Sequence, residues 1–389
     1  MLARETPFLE DLRIRMMLPA TEPYKDVAER RKQKEREIEK EFFATDAMTN
    51  REWTSSNQPQ RHAIIGLATH DFVKDYVAKQ LEAMTQLGQV EASSIDSLRE
   101  AMGVMQHHDA ITGTEKQHVA EDYMRILTNA FEDARGSAEK SLNQLISQDA
   151  SNNVEVFNCL ELNVSSCDVT ENQEKFVVTV YNPLSHEVNH FVRLPVPSAT
   201  YTVQAPDGAL QTTQMVPIPK EVLESPERAS STATHDLVFK AENLPSLGFR
   251  SYYVTKTSDS FEEVQPSGDL SIGTDLEVVL DETTGLVKTL RSNGVEIPVA
   301  QNLYFYKGAA ADNQRASGAY IFRPNGTSKT AISDSSTFVV YKGDVVDEIH
   351  QTFSDWASQV VRVYHEENHV EFEWLVGPIP TEYDNAFCF

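Results

Sequence analysis

The sequence predicts an α-then-β chain of several domains, in which an antiparallel helical bundle precedes an antiparallel β-sandwich. The length of 389 residues exceeds that of a typical single domain. Before about residue 150, apolar residues recur with helical spacing, and after it short alternating runs and turn residues dominate. We therefore place an extended or irregular segment at 1–24, a bundle of three to four helices at 25–149 and a β-sandwich at 150–389.

The first half contains four helical patterns. Residues 25–42 have the composition of a solvated helix face, and residues 60–88 place apolar side chains on one face. We expect a third helix from Ile95 to about His107. The run Thr114-Glu115-Lys116-Gln117 fits a capping box, with Thr114 as the N-cap of a fourth helix. Short connections between these patterns favour an antiparallel bundle.

The second half has the pattern of antiparallel strands. Residues 175–181 are rich in β-branched and aromatic side chains, as is typical of a strand. Two further pairs of short apolar runs predict hairpins, at 276–280 with 286–290 and at 360–364 with 370–374. The polar segment 221–234 lacks periodicity, so we expect a loop there. Because no helical pattern interrupts the strands, a β-sandwich is the expected architecture.

Charge and hydropathy exclude two kinds of partner. The chain carries 59 acidic and 34 basic residues, a net charge of −25, so we do not expect a nucleic-acid partner, which requires a concentrated basic face. No apolar run approaches the length of about 18 residues that a membrane span needs. The first residues lack the pattern of a secretory signal peptide. The sequence does not predict the oligomeric state.

The cysteines and two sequons bear on the cellular compartment. Cys159 and Cys167 lie close together, whereas Cys388 stands alone and its state stays open. If Cys159 and Cys167 pair, the small loop would contribute about 2–3 kcal/mol, and the bond would need an oxidising compartment. Sequons that begin at Asn163 and Asn325 predict glycosylation sites, which agrees with such a compartment.

The residues His107-His108-Asp109 lie between the end of the third predicted helix and the start of the fourth. Neutral imidazole is a good zinc ligand, and a nearby carboxylate can hold a sugar hydroxyl. The alternative is that two histidines at a helix end interact only with the last carbonyls and the helix dipole. One histidine and one aspartate do not hold zinc by themselves, since zinc takes four ligands, or three and a water.

A longer series of motifs around this junction resembles the lysosomal-type α-mannosidases of glycoside hydrolase family 38. The run Gln-His-His-Asp-Ala-Ile-Thr-Gly-Thr is similar to a segment of the family's central helical domain. Further similar segments follow in the family's order, so the resemblance covers roughly residues 25–380. These segments are residues 106–114, 117–120, 122–123, 181–184, 244–249, 252–254, 316–326 and 373–380.

The resemblance implies a zinc-dependent, retaining hydrolase of terminal α-mannosides in glycoprotein glycans, located in the lysosome, the vacuole or the secretory pathway. It implies that His108 ligates one zinc ion and that Asp109 contacts mannose hydroxyls or orders the metal site. Tyr320 would reach the sugar from the β-domain. His107 is expected to support the junction rather than to bind metal.

The family's catalytic residues lie on a (β/α) barrel, which supplies a His-x-Asp zinc pair, a nucleophilic aspartate and an acid/base carboxylate. Residues 1–100 contain no His-x-Asp. We therefore expect no catalytic residue in this chain, only one zinc ligand, and no activity of the chain alone. The resemblance also implies a disulfide between Cys159 and Cys167. The alternative function is a non-catalytic carbohydrate-binding or structural remnant of the family.

Overall fold

A computed structural model of the chain describes residues 16–17, 77–146, 156–157, 159, 161–309 and 323–377. The predicted helix at 25–42 and the first part of the one at 60–88 lie outside these residues. The chain divides into two compact units, which we describe separately. The first unit comprises Met1–Met17, Val154–Gln301 and Ser335–Leu375, and the second comprises Leu18–Asn153, Asn302–Asp334 and Val376–Phe389.

Three helical segments make up most of the described part of the second unit. They are residues 77–85 (α1), Gln89–Met105 (α2) and Gln117–Ile146 (α3). Their apolar faces follow the predicted spacing, and α2 and α3 pack against each other through a shared core. The largest buried side chains of this core are Leu98, Met102, Met105, Leu127 and Phe131. In the ranges given above, no helix combines the length and the apolar character that crossing a bilayer requires.

Helix α1 is joined to α3 by polar side chains as well. The Thr85 hydroxyl donates a hydrogen bond to the Ser141 hydroxyl at 3.0 Å, and the Gln144 amide donates one to the Thr85 carbonyl at 3.3 Å. Thr85 and Ser141 are both buried, so this contact satisfies polar groups that would otherwise be costly inside the unit.

The two predicted helix starts differ from the structure. Helix α2 begins at Gln89 rather than at Ile95, because Gly88 supplies the non-helical backbone before it with φ at 135°. Helix α3 begins at Gln117, so the predicted capping box is wrong. The Thr114 hydroxyl instead donates to the Asp109 carboxylate at 2.9 Å. A hydrogen bond to a charged acceptor is stronger than one between neutral groups, which accounts for this preference.

The described residues contain 17 strands, whose bounds agree with most of the predicted runs. They are β1 Met16–Met17, β2 Lys175–Asn182, β3 Val188–Val196, β4 Thr200–Gln204, β5 Thr213–Pro217, β6 His235–Leu244, β7 Gly248–Ser258, β8 Ser271–Ile272, β9 Leu276–Leu280, β10 Val287–Ser292, β11 Val295–Pro298, β12 Tyr304–Phe305, β13 Thr330–Ala331, β14 Thr337–Tyr341, β15 Val346–Ser354, β16 Ala357–Tyr364 and β17 His369–Val376.

Four antiparallel sheets form the first unit. Sheet 1 has the strand order β2-β7-β4, and sheet 2 has the order β3-β6-β5. Sheet 3 has the order β1-β17-β16-β15-β14, and sheet 4 has the order β11-β10-β9-β8. The first strand lies far from its partner in sequence, since Met16 pairs with Val370. The second unit has one two-stranded ribbon, β12-β13, among its described residues.

The sheets of the first unit pack face to face in succession. Sheets 1 and 2 share the largest apolar core, in which the rings of Tyr252 and Phe239 lie 5.1 Å apart. Sheets 2 and 3 share a smaller core, in which Phe191 stacks on Tyr364 at 4.5 Å. Sheets 3 and 4 meet where the Asp347 carboxylate accepts a hydrogen bond from the Gly273 backbone at 2.9 Å. Sheets 2 and 3 are therefore covered on both faces.

A cluster of buried charges completes the contact between sheets 2 and 3. The Arg193 guanidinium donates to Asp236 at 3.1 Å and to Glu348 at 2.8 Å, and the Arg362 guanidinium donates to Glu348 at 2.6 Å. The side chains of Arg193, Arg362 and Glu348 are at most 4% exposed. Burial raises the pKa of Glu348, but the charges of Arg193 and Arg362 outweigh it and hold that pKa well below its usual range.

The coarse fold prediction, helices followed by a mostly antiparallel β region, is confirmed, and the domain boundaries 1–24, 25–149 and 150–389 stay predictions. The β-sandwich is only partly shown, because the described residues of the first unit form four sheets rather than the two of a sandwich. The predicted loop at 221–234 is also interrupted, by a turn of helix at Lys220–Leu223 and a 3-10 turn at Pro226–Arg228.

Candidate functional site at the α2–α3 junction

The backbone between α2 and α3 folds into a tight corner. The His107 carbonyl accepts hydrogen bonds from the Ala110 and Ile111 backbones at 2.9 and 3.1 Å, and the Thr114 backbone donates to the Asp109 carbonyl at 3.0 Å. Ala110 is completely buried in the core shared by the two helices. These local bonds hold residues 107–109 at a fixed position beside the helix ends.

The Asp109 carboxylate has two different environments. Its Oδ1 accepts the hydrogen bond from the Thr114 hydroxyl, whereas its Oδ2 lies 3.5 Å from His107 Nε2 and 3.8 Å from His108 Nε2. The side chain is 33% exposed. One oxygen is thus fixed by the corner itself, and the other is directed toward the two imidazoles.

The two imidazoles lie side by side and face solvent. Their ring centroids are 4.3 Å apart, and the side chains of His107 and His108 are 45% and 74% exposed. The Thr112 hydroxyl donates to the His108 carbonyl, which closes the turn beneath these rings. Neither ring is buried within the helices, so both imidazoles can be reached from solvent.

The three side chains are of the types that ligate zinc. One ligand atom from each of His107, His108 and Asp109 lies within 4.8 Å of the other two. Ligands of one tetrahedral zinc are about 3–3.5 Å apart, given bond lengths of about 2.0–2.2 Å. The distances from Oδ2, 3.5 and 3.8 Å, are close to that value. Two nitrogens, one oxygen and a water would fit zinc in type and number.

This geometry does not separate the roles that the family resemblance implies for the two histidines. His107 Nε2 lies closer to the Asp109 carboxylate than His108 Nε2 does. The roles of His108 as ligand and of His107 as support therefore stay predictions. The contact of Thr114 with Asp109 was not predicted from the sequence, because the position of Thr114 before a helix predicted an N-cap. The signal that could have found it is Gly113, whose φ of 62° turns the chain back toward Asp109.

The remaining predicted site residues are distributed over other parts of the chain. Tyr320 and Cys388 lie outside the described residues. Asn163 lies exposed in a 3-10 turn at Leu162–Val164, and Asn325 lies in an exposed turn after Pro324. The disulfide that the resemblance implied is present between Cys159 and Cys167, with a Cα–Cα distance of 5.2 Å.

Two protein-family models match the chain. The α-mannosidase middle domain matches residues 28–145, which include the junction, and the C-terminal domain of glycosyl hydrolases family 38 matches residues 274–382. Together the two matches cover more than half of the 389 residues. The second match includes strands β9, β10 and β11 of sheet 4 and most of sheet 3.

Several curated proteins are similar to the chain over most of its length. Lysosomal alpha-mannosidase from Bos taurus is 36% identical over 315 residues, which cover 78% of this chain and 30% of that protein. Lysosomal alpha-mannosidase from Homo sapiens is 36% identical over 322 residues, which cover 78% and 31%. Alpha-mannosidase from Canavalia ensiformis is 33% identical over 314 residues, which cover 73% and 32%. The chain spans about a third of the length of these relatives.

Among solved structures, an alpha-mannosidase from Enterococcus faecalis is similar with a TM-score of 0.47 and 14% sequence identity. The match covers 85% of this chain and 41% of that one.

Proposed function

The chain belongs to glycoside hydrolase family 38, and we propose that it provides the helical middle region and the β-domain of an α-mannosidase. The substrate class is terminal α-mannosides of glycoprotein glycans, cleaved with retention of configuration. The observation that carries this proposal is the pair of family matches in the expected order, together with relatives that are named as α-mannosidases.

We propose that His108 ligates a zinc ion through its exposed imidazole. The ion would supply a Lewis acid that polarises bound sugar hydroxyls. The 74% exposure of His108 supports this role, because a ligand shared with other groups must be reachable from outside the bundle. The proximity of His107 to the same carboxylate makes it the second candidate at this corner.

Asp109 would bind the mannose or orient the metal ligand. The Thr114 hydroxyl occupies Oδ1, so Oδ2 is the oxygen directed toward a ligand. A carboxylate oxygen held in this way can accept a hydrogen bond from a sugar hydroxyl or from a ligating imidazole. Tyr320, by resemblance, would add a hydroxyl contact to the same sugar.

Hydrolysis with retention needs a second carboxylate. The two catalytic groups of such an enzyme lie about 5–5.5 Å apart on either side of the scissile bond. Asp109 provides one carboxylate at the junction, and it is already engaged by Thr114. We therefore propose that the nucleophile and the acid/base residue are not among these 389 residues, and that the chain alone is inactive and binds zinc weakly.

The proposed location is the lysosome, the vacuole or another compartment of the secretory pathway. Two of the relatives are lysosomal by name. The disulfide between Cys159 and Cys167 supports this location, since such bonds persist in oxidising compartments.

Zinc titration by calorimetry, together with an activity assay, tests the proposal. The purified chain should bind zinc weakly; binding should be lost in His108→Ala and reduced in Asp109→Asn. His118→Ala is the matched control, because His118 is an exposed histidine of α3 outside the cluster, and it should bind zinc as the wild type does.

With an aryl α-mannoside and added zinc, we expect no turnover. Zinc-dependent turnover by the chain would contradict the proposed absence of the catalytic carboxylates, and unchanged zinc affinity in His108→Ala would contradict the ligand role. Tight binding of mannose glycans by the chain when a chelator removes zinc would favour the alternative of a non-catalytic carbohydrate-binding protein.

A further inference from the structure

The two sequons of the chain lie in opposite structural settings. The first is Asn163-Val164-Ser165, and the second is Asn325-Gly326-Thr327. An N-glycosylation site requires both the asparagine amide and the hydroxyl two residues later, so both ends of a sequon must be reachable by the transferase.

In the first sequon, the asparagine is exposed to solvent but the serine is buried. Asn163 is exposed, whereas Ser165 is 6% exposed and has a left-handed backbone with φ at 54°. The Ser165 backbone donates to the Leu162 carbonyl at 3.0 Å, and its hydroxyl donates to the Asp236 carboxylate at 3.4 Å. The hydroxyl that defines the sequon is thus committed to the interior.

The loop around this serine is held at several points. The Arg228 guanidinium donates to the carbonyls of Val164, at 2.6 Å, and of Ser165. Arg228 is itself 5% exposed, so it closes the loop from the inside. The Cys159–Cys167 disulfide joins the two ends, and the Cys167 backbone donates to Glu171 at 2.8 Å. Withdrawing Ser165 breaks its own hydrogen bonds to Leu162, Asp236 and Arg228, within a loop whose ends the disulfide holds together.

The second sequon is open at both ends. Asn325, Gly326 and Thr327 are all exposed. Gly326 has φ at 93°, which forms a turn at the surface, and the Asn325 backbone donates to the Lys307 carbonyl at 2.6 Å. The backbone of this turn is fixed, but the side chains of both recognition residues point outward.

We propose that Asn163 is an N-glycosylation site that accepts its glycan only before the 159–167 loop closes, whereas Asn325 also accepts one in the folded chain. Closure of the loop around Ser165 therefore sets a time limit on modification. The exposed Asn163 side chain leaves room for a glycan once it is attached, so the modified chain can still fold.

The transfer uses one group of the loop, the Asn163 side-chain amide. The Asn163 side-chain nitrogen forms a bond to the anomeric carbon of a lipid pyrophosphate-linked oligosaccharide. The bond from that carbon to the pyrophosphate oxygen breaks, the electron pair leaves with the pyrophosphate, and the nitrogen loses one proton. The inference rests on the secretory location proposed above, but its test does not use mannosidase activity.

The test compares one sequon at a time in nascent and in folded chains. Asn325→Gln leaves Asn163 as the reporter, and Asn163→Gln leaves Asn325; both changes are at exposed positions. Each variant is translated with an added signal peptide in endoplasmic reticulum microsomes. Separately, each is purified without glycans, folded and oxidised, and then given purified oligosaccharyltransferase with lipid-linked oligosaccharide. Occupancy is read as a glycosidase-sensitive shift in gel mobility.

We expect Asn163 to be modified at least tenfold more in the nascent chain than in the folded chain, and Asn325 to differ by less than threefold. In the microsomes, added reductant should raise Asn163 occupancy, because it keeps the loop open. Equal modification of Asn163 in the folded chain, or none in the nascent chain, would overturn the proposal. If Asn325 were not modified in the folded chain, the second statement of the proposal would be overturned.

Discussion

The buried charges between sheets 2 and 3 predict a large loss of stability when Glu348 becomes Gln. The Glu348 carboxylate accepts hydrogen bonds from Arg193 at 2.8 Å and from Arg362 at 2.6 Å, and its other oxygen lies 2.8 Å from His350 Nε2. The side chain is 1% exposed. The substitution keeps the size of the side chain but removes the charge that the two guanidiniums face.

The expected cost is about 3–5 kcal/mol in the free energy of unfolding, the range measured when one partner of a buried ion pair is removed. The full difference between the wild type and the variant should be observed at pH 7. Since the folded-state pKa of Glu348 is depressed, its contribution is present above the unfolded value, about 4.3. It disappears only as pH falls below that value through the lowered folded pKa, so the two proteins should converge in strong acid.

Urea unfolding followed by tryptophan fluorescence measures this loss. Trp356 and Trp374 lie in the hairpin turn and the β17 strand of sheet 3, and a Trp53→Phe background removes the third tryptophan. Glu277→Gln is the matched control, because Glu277 meets the exposed Arg291 on neighbouring strands at 3.1 Å. That control should cost less than about 1 kcal/mol. A Glu348→Gln protein as stable as the control would refute the reasoning.

Three further predictions concern the stability of the first unit, and urea unfolding tests each of them. Burial lowers the pKa of His235, so the unfolded chain takes up a proton first as pH falls below about 6.5. In His235→Asn, the free energy of unfolding should therefore fall less steeply between pH 7 and 5, by up to about 1.4 kcal/mol per pH unit. An unchanged slope would contradict this. Replacing both Cys159 and Cys167 with Ser should cost about 2–3 kcal/mol, while reductant should change the wild type but not the variant. Gly285→Ala should destabilise the unit strongly, since φ is 69° and the new Cβ would lie 2.3 Å from the Ser336 carbonyl; Gly294→Ala, with φ at 76° and open space, should cost only the left-handed penalty of about 1–2 kcal/mol, so equal costs at the two glycines would contradict the predicted clash.

Local pattern predicted the strands well. The run of β-branched and aromatic residues at 175–181 is β2, and the hairpin predicted at 276–280 with 286–290 is β9 and β10. The hairpin predicted at 360–364 and 370–374 is β16 and β17. In each case the side chains that decide the structure are neighbours in sequence, so periodicity and turn chemistry were sufficient.

Long-range contacts could not be predicted in this way. The sequence around Arg193 predicts an ordinary solvent-facing charge in β3, yet the side chain is buried against Asp236 and Glu348. These partners lie 43 and 155 residues away, so local pattern could not reveal them. This cluster lets sheet 2 bury both faces. The described part of the first unit therefore has further sheets beyond the two of the expected β-sandwich. Periodicity shows which face of a strand is apolar, but it does not show which distant charges will neutralise a residue on the other face.

The same short pattern has two different meanings in this molecule, and burial distinguishes them. Glu348 and His350 are two residues apart, and so are His107 and Asp109. On strand β15 such a pair shares one face, and two guanidiniums and the sheet packing enclose it. At the helical corner the pair is open to solvent, with one carboxylate oxygen held by Thr114. The enclosed pair contributes to stability, whereas the open pair is accessible to solvent and to the zinc ion proposed above, so the α2–α3 junction is the place to test for chemistry.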